Sequence, residues 1–81
     1  MEDILDLRGL KCPLPALFAR RAVARVGIGE AVTVIADDPL AGIDIPHMCR
    51  QERFEVLALE REGNETRIVI RKPASPPLVS N

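Results

Sequence analysis

The chain is organised around residues 8–15, which have the sequence Arg-Gly-Leu-Lys-Cys-Pro-Leu-Pro. Gly9 favours a turn out of a preceding strand, and proline is favoured at the first position of a helix. We therefore expect Pro13 to begin a helix and Cys12 to lie at or next to its N-cap. The positive end of a helix macrodipole favours thiolate over thiol, so this stretch predicts a nucleophilic sulfur.

The residues around Cys12 are expected to hold its sulfur as an anion. Because Pro13 and Pro15 lack a backbone N–H, the amides of Leu14 and Ala16 are the candidates to face the sulfur. Basic side chains nearby add positive charge. The alternative is a helix start that happens to carry a cysteine. The predicted support for the thiolate comprises Arg8, Gly9, Lys11, Pro13, Leu14, Pro15 and Ala16.

Length and composition limit the possible functions. Eighty-one residues allow one domain with one core. Two Phe and no Trp or Tyr disfavour a base-stacking surface for nucleic acid. The formal net charge of -1 gives no bulk attraction to nucleic acid or membrane. No apolar run approaches the roughly 18 residues of a membrane span, and no signal peptide is evident, so we expect a cytoplasmic protein with reduced thiols.

Hydrophobic patterning predicts the element order β-α-β-α-β-β. This order favours a two-layer α/β sandwich, an α+β fold in which two helices cover one face of a mixed four-stranded sheet. Pro46 leaves two possibilities, a kinked second helix or a helix that begins near Asp44 as its cap. We expect one domain over residues 1–72 and a disordered tail over 73–81. The expected bounds of the elements are 1–7, 13–26, 30–36, 40–53, 54–61 and 66–71.

The faces of these elements can also be predicted. The first helix is expected to pack its core side through Ala16, Ala19, Ala22, Val23 and Val26. Its opposite side is expected to carry a docking strip for a partner protein, although exposed apolar residues are common. The strip comprises Leu14, Phe18, Arg21 and Arg25. The apolar members of the second helix are Ile43, Ile45, Met48 and Cys49, while Val56 and Val69 are expected on the uncovered sheet face.

The remaining candidate chemistry gives weaker signals. Nothing in the sequence places the only histidine, His47, near Cys12. His47 and Cys49 are two residues apart and point to different sides of a helix, so we expect no metal site. Cys49 is interpreted as a small buried hydrophobe. A redox pair of Cys12 and Cys49 remains possible if their Cα atoms lie within about 7 Å.

Basic side chains cluster near the proposed sulfur site. They are able to steer an acidic partner, to contact an RNA backbone, or to form an ordinary solvated face. The sequence leaves these three possibilities open. The cluster comprises Arg8, Lys11, Arg20, Arg21 and Arg25.

These residues resemble the TusA/SirA-like family of small sulfur-transfer proteins over about residues 4–72. The resemblance rests on residues 5–15, on Ala-Asp-Asp-Pro at 36–39, and on Asp-Ile-Pro at 44–46 with Cys-Arg-Gln at 49–51. It implies the β-α-β-α-β-β sandwich and a role for Cys12 as the acceptor of sulfane sulfur. A cysteine desulfurase or a rhodanese is the implied donor, and an acceptor protein in tRNA thiolation, cofactor assembly or sulfur oxidation receives the sulfur.

The resemblance implies a carrier that forms a cysteine persulfide, without a cofactor, and it leaves open whether the chain is an enzyme in its own right. We expect a monomer. Leu14 stands where tRNA-thiolation members carry Glu, and Phe18 stands where Lys is frequent, so the partner is expected to differ from theirs. The rival hypothesis is a non-catalytic interaction or regulatory module in which Cys12 is structural.

Overall fold

The computed structural model describes residues 3–73 and confirms the predicted element order. The first strand ends at Asp6, one residue before its predicted end, and the other elements begin and end within one residue of the predicted bounds. Met1, Glu2 and residues 74–81, which include nearly all of the predicted tail, lie outside the described residues. The elements are β1 (Asp3–Asp6), α1 (Leu14–Arg25), β2 (Ala31–Ala36), α2 (Ala41–Glu52), β3 (Glu55–Glu62) and β4 (Glu65–Arg71).

The four strands form one mixed sheet with the spatial order β1-β2-β4-β3. Strands β1 and β2 are parallel neighbours, whereas β4 is antiparallel to both β2 and β3. The turn between β3 and β4 contains Gly63, whose φ of 60° suits glycine. Because β1 and β2 are parallel, their carboxyl ends lie at the same edge of the sheet. Helices α1 and α2 both begin just beyond this edge.

The core lies between the two helices and one face of the sheet, which confirms the two-layer α/β sandwich. Ala19 and Val23 of α1 and Ile45 of α2 are fully buried. They pack over Val34 and Ile68, which are directly paired between β2 and β4. Within residues 3–73, neither helix has the length and hydrophobicity required to cross a bilayer.

Helix α2 begins at Ala41, so the predicted alternative of a start near Asp44 is wrong. It runs from Ala41 through Pro46, and the Asp44 amide donates to the carbonyl of Leu40 at 2.8 Å. The first turn therefore forms before the proline. Because Pro46 has no N–H, the helix lacks only the backbone hydrogen bond from residue 46 to the carbonyl of Gly42. Asp44 lies inside this first turn and is not the N-cap.

Two apolar residues occupy faces that the sequence did not predict. Ile43 is 66% exposed, because it lies two residues from Ile45 and therefore on nearly the opposite side of α2. Val56 is paired directly with the fully buried Ile70. Directly paired residues share a face, so Val56 points to the helix side at the outer strand, and its assignment to the uncovered face is wrong. Val69, which alternates with Ile70, lies on the uncovered face.

Candidate functional site

Cys12 lies in the loop between β1 and α1, at the carboxyl edge of the parallel strands, and is exposed. Helix α1 starts at Leu14, with Pro13 as the N-cap and Pro15 buried in the first turn. Pro13 is therefore the N-cap and not the first helical residue, which differs from the prediction. The Leu14 amide donates a hydrogen bond to the carbonyl of Lys11 at 2.8 Å and so closes a turn just before the helix. Cys12 immediately precedes the N-cap, and its peptide bond to Pro13 is cis.

Two aspartates that follow β2 hold the Cys12 loop in place. The Gly9 amide donates to Oδ1 of Asp37 at 2.9 Å, and the Cys12 amide donates to Oδ2 of Asp38. Asp38 is buried and also accepts the Leu40 amide at 3.2 Å through Oδ1. One carboxylate thus joins the loop before α1 to the segment before α2, which sets the position of Cys12 relative to α2.

The sulfur of Cys12 contacts a carboxylate. Its Sγ donates a hydrogen bond to Oδ2 of Asp44 at 2.7 Å. This hydrogen bond raises the pKa of Cys12 above its ordinary value, and desolvation and the negative charges of Asp44 and Asp38 act in the same direction. These two carboxylates act against the predicted effect of the helix end, which favours the thiolate.

In the described part of the chain, the predicted supporting residues make no hydrogen bond to the sulfur. Arg8 donates to Asp6 through Nε and Nη2, at 2.9 and 2.8 Å, and to Glu65 at 3.2 Å. This pairing lowers the pKa of Asp6 to about 2, chiefly through its hydrogen bonds to Arg8. The Leu14 amide is occupied by the Lys11 carbonyl. Among residues 3–73, Asp44 provides the only hydrogen bond that the Cys12 sulfur makes.

A groove of about 350 Å³ opens from Cys12 between α1 and α2. Ala16 and Leu17 form part of its wall on α1, and His47 and Met48 form part of its wall on α2. His47 therefore shares the groove with Cys12, a proximity that the sequence did not indicate. The salt bridge of Arg20 and Glu52, at 3.8 Å, lies along the same groove.

The predicted docking strip is divided by the structure. Phe18, Arg21 and Arg25 line a second groove, of about 410 Å³, between α1 and the β1 side of the molecule. Phe18 is partly buried against the core, so its placement opposite the buried face is wrong. Phe18 lies one turn before Ala22, and both side chains pack against the core, so the buried arc of α1 is wider than the predicted one. Leu14, which is 39% exposed, lies outside this groove.

The two cysteines are in different environments. Cys49 is 1% exposed within the core, and burial raises its pKa to about 11. Both cysteines are free, so the structure contains no Cys12–Cys49 disulfide. In the described part of the chain, no three His, Cys, Asp or Glu side chains are grouped so as to hold a metal ion.

Sequence reasoning missed the acidic residues of the site. It used Asp37 and Asp38 as part of the family resemblance and Asp44 as a possible helix cap. The available signal was the position of Asp37 and Asp38 directly after β2, since polar residues at the carboxyl ends of adjacent parallel strands meet at one edge. Recognising that signal would have required knowing that β1 and β2 are neighbours.

Comparison with known proteins agrees with the fold and with the sequence pattern. The family model described as sulfurtransferase TusA matches residues 3–72. The structure is similar to the crystal structure of a SirA-like protein from Desulfitobacterium hafniense, with 26% sequence identity and a TM-score of 0.76. That similarity covers 90% of this chain and 99% of the other. The chain belongs to the TusA sulfurtransferase family.

Proposed function

We propose that the chain is a sulfur carrier that accepts sulfane sulfur as a persulfide on Cys12 and relays it to an acceptor protein. The observation that carries the proposal is the exposed sulfur of Cys12 at the mouth of an open groove, in a chain that belongs to a sulfurtransferase family. Cys49 is unsuited to the role because it is buried.

The proposed chemistry needs no oxidant or reductant. The Cys12 sulfur attacks the outer sulfur of a donor persulfide, the S–S bond of the donor breaks, and the donor sulfur leaves and takes up a proton. The acceptor later attacks the outer sulfur on Cys12 and regenerates the Cys12 thiol. We propose a cysteine desulfurase or a rhodanese as the donor, for a monomeric carrier in the reducing cytoplasm.

Intact-mass measurement tests this proposal. The wild-type chain, incubated with a desulfurase and cysteine or with a rhodanese and thiosulfate, is expected to gain about 32 Da for each sulfur that it carries. Cys12→Ser should gain nothing, whereas Cys49→Ala, the matched control at the buried thiol, should still gain sulfur. An unmodified wild type, or a modified Cys12→Ser variant, would show that Cys12 is not the carrier.

One property of Cys12 is shared by the carrier and by the alternative, a non-catalytic interaction module. The pKa of Cys12 is raised, first by its hydrogen bond to Asp44, so less thiolate is present at neutral pH than on an ordinary cysteine. Slow alkylation of Cys12 is expected under either function and does not distinguish them. The sulfur adduct does, because a module with a structural Cys12 takes up none.

We also propose that the second groove binds an acidic segment of a partner protein in the relay. Its floor is apolar, with Leu5, Leu10 and Phe18, and its rim carries Arg21 and Arg25. The Arg21 guanidinium lies 5.9 Å from the ring centroid of Phe18. Neither rim arginine forms a salt bridge within residues 3–73, in contrast to Arg20 on the other side of α1. Unpaired positive charge beside an apolar floor complements an acidic segment with apolar side chains.

Charge reversal tests this docking groove. Arg21→Glu and Arg25→Glu are expected to slow sulfur transfer from or to the partner, and raising the salt concentration should slow the wild type similarly. Arg61→Glu, on the exposed strand β3, is the matched control and should transfer sulfur normally. An RNA that binds the wild type and loses affinity in Arg21→Glu would instead assign the groove to a nucleic acid.

A further inference from the structure

The contact between Cys12 and Asp44 places a proton acceptor against the candidate sulfur carrier. The two residues are 32 positions apart, and the Sγ–Oδ2 distance is 2.7 Å. Asp44 belongs to the first turn of α2, whereas Cys12 precedes α1, so only the tertiary fold brings them together. A general base must lie within about 2.6–3.2 Å of the atom that gives up the proton, and this pair meets that requirement without rearrangement.

We propose that Asp44 accepts the proton of the Cys12 thiol when the sulfur attacks, and that the same carboxylate keeps the resting sulfur protonated. The inference rests on the proposed function, because it concerns the step in which Cys12 takes on sulfur.

The proton and the electrons balance in this step. As Sγ of Cys12 attacks the outer sulfur of a donor persulfide, a new S–S bond forms and the S–S bond of the donor breaks. The inner donor sulfur leaves with the electron pair. The Cys12 proton moves to Oδ2 of Asp44 and then to the departing donor sulfur. Because a sulfur that is forming a bond through its lone pair becomes far more acidic than a free thiol, a carboxylate is able to take its proton.

The charges around the pair are consistent with a thiol at rest. The hydrogen bond to Asp44, desolvation, and the charges of Asp44 and Asp38 together raise the pKa of Cys12. Asp38 is occupied by two backbone amides, so it is not free to accept the thiol proton. His47, three residues after Asp44 on α2, lines the same groove as Cys12, so it needs its own control. The other charged or titratable groups around this site are Lys11, Arg20, Asp38, His47 and Glu52.

The rate of reaction of Cys12 with a neutral disulfide, 2,2′-dipyridyl disulfide, measured from about pH 5.5 to about pH 8.5, tests the inference directly. In the wild type, assistance by the carboxylate should make the rate depend weakly on pH. In Asp44→Asn only the thiolate reacts, so the rate should rise about tenfold per pH unit below the pKa of Cys12. We expect Asp44→Asn to be several-fold slower than the wild type near pH 6 and faster near pH 8.5, because the adjacent negative charge is gone.

Matched variants separate proton transfer from a structural effect. Asp44→Glu keeps a carboxylate and should retain the weak pH dependence. His47→Gln should follow the wild-type profile, and so should Glu60→Gln, which removes a carboxylate from the exposed strand β3. Parallel profiles for the wild type and Asp44→Asn would overturn the inference, and so would a steep profile in His47→Gln, which would assign the proton to the imidazole.

The sulfur-loading assay, run on the same proteins, distinguishes failure of this inference from failure of the proposed function. One outcome is that the pH–rate profiles of the wild type and Asp44→Asn cross as predicted while the chain takes up no sulfur. That result would support Asp44 as the proton acceptor of the thiol and refute the carrier function. Coincident profiles, in a chain that does take up sulfur, would refute the role of Asp44 and leave the carrier intact.

Discussion

Replacing Asp38 by alanine is expected to loosen the Cys12 loop and to destabilise the whole domain. The Asp38 side chain is 7% exposed and accepts two backbone amides, from Cys12 and from Leu40. In Asp38→Ala both amides lose a charged acceptor, and the segments before α1 and α2 lose the side chain that joins them. The Ala41 amide still donates to the carbonyl of residue 38, so the start of α2 keeps its own turn.

The magnitude follows from these two bonds. A hydrogen bond to a charged group contributes about 1.5–3 kcal/mol, and the desolvation of the buried carboxylate offsets part of the gain. We therefore expect Asp38→Ala to lower the free energy of unfolding by about 2–4 kcal/mol. For a domain of this size, that loss corresponds to a decrease in Tm of about 10–25 °C.

Urea unfolding followed by far-UV circular dichroism measures the loss, since the chain has no Trp or Tyr for intrinsic fluorescence. Asp37→Ala is the matched control, because Asp37 accepts a single amide, from Gly9, and is less buried. Asp38→Asn keeps an acceptor oxygen without the charge, so its loss of stability should lie between those of Asp37→Ala and Asp38→Ala. If Asp38→Ala lost no more stability than Asp37→Ala, the proposed anchoring role of the buried carboxylate would be refuted.

Three further predictions concern the core, the surface charges and the second thiol. Ile45→Ala, at a fully buried position, should cost about 2–5 kcal/mol in urea unfolding, whereas Ile43→Ala on the same helix should stay within about 0.5 kcal/mol. Arg8→Gln should return the pKa of Asp6 from about 2 to about 4 in an NMR carboxyl titration. Because the folded pKa is lowered, the stabilising effect of this pair is present above the unfolded pKa and is lost as the pH falls toward 2. Alkylation of the native protein should add one group by mass and a second only in denaturant, because burial raises the pKa of Cys49 to about 11.

The element order and the sheet class were predictable because their signals are local. The β-branched run in β2, the glycine-containing turn between β3 and β4, and the two prolines at the start of α1 each act within a few residues. Because each signal acts within its own segment, it does not depend on which other elements pack nearby. The same sequence pattern, through its resemblance to a known family, indicated the family that the comparison confirms.

Errors arose where a residue's environment depends on a neighbouring element. Phe18 was placed opposite the core because a helical wheel does not show how wide an arc of α1 the rest of the fold covers. Val56 was assigned to the uncovered face because its pairing with Ile70 depends on strand register. In both elements the spacing of apolar residues was visible in the sequence. Which side of the element faces the core was set by packing against its neighbours.

The surroundings of Cys12 show which properties depend on the local sequence and which depend on the tertiary structure. By itself, the sequence determined that an unburied cysteine precedes a proline-marked helix, because glycine and proline act on the backbone of their own segment. Only the tertiary structure decided what faces the sulfur. The fold brings the Asp44 carboxylate onto the sulfur and the Asp38 carboxylate onto the Cys12 backbone amide. Charge interactions depend on distance in space, so carboxylates 26 and 32 residues away along the chain act on the thiol.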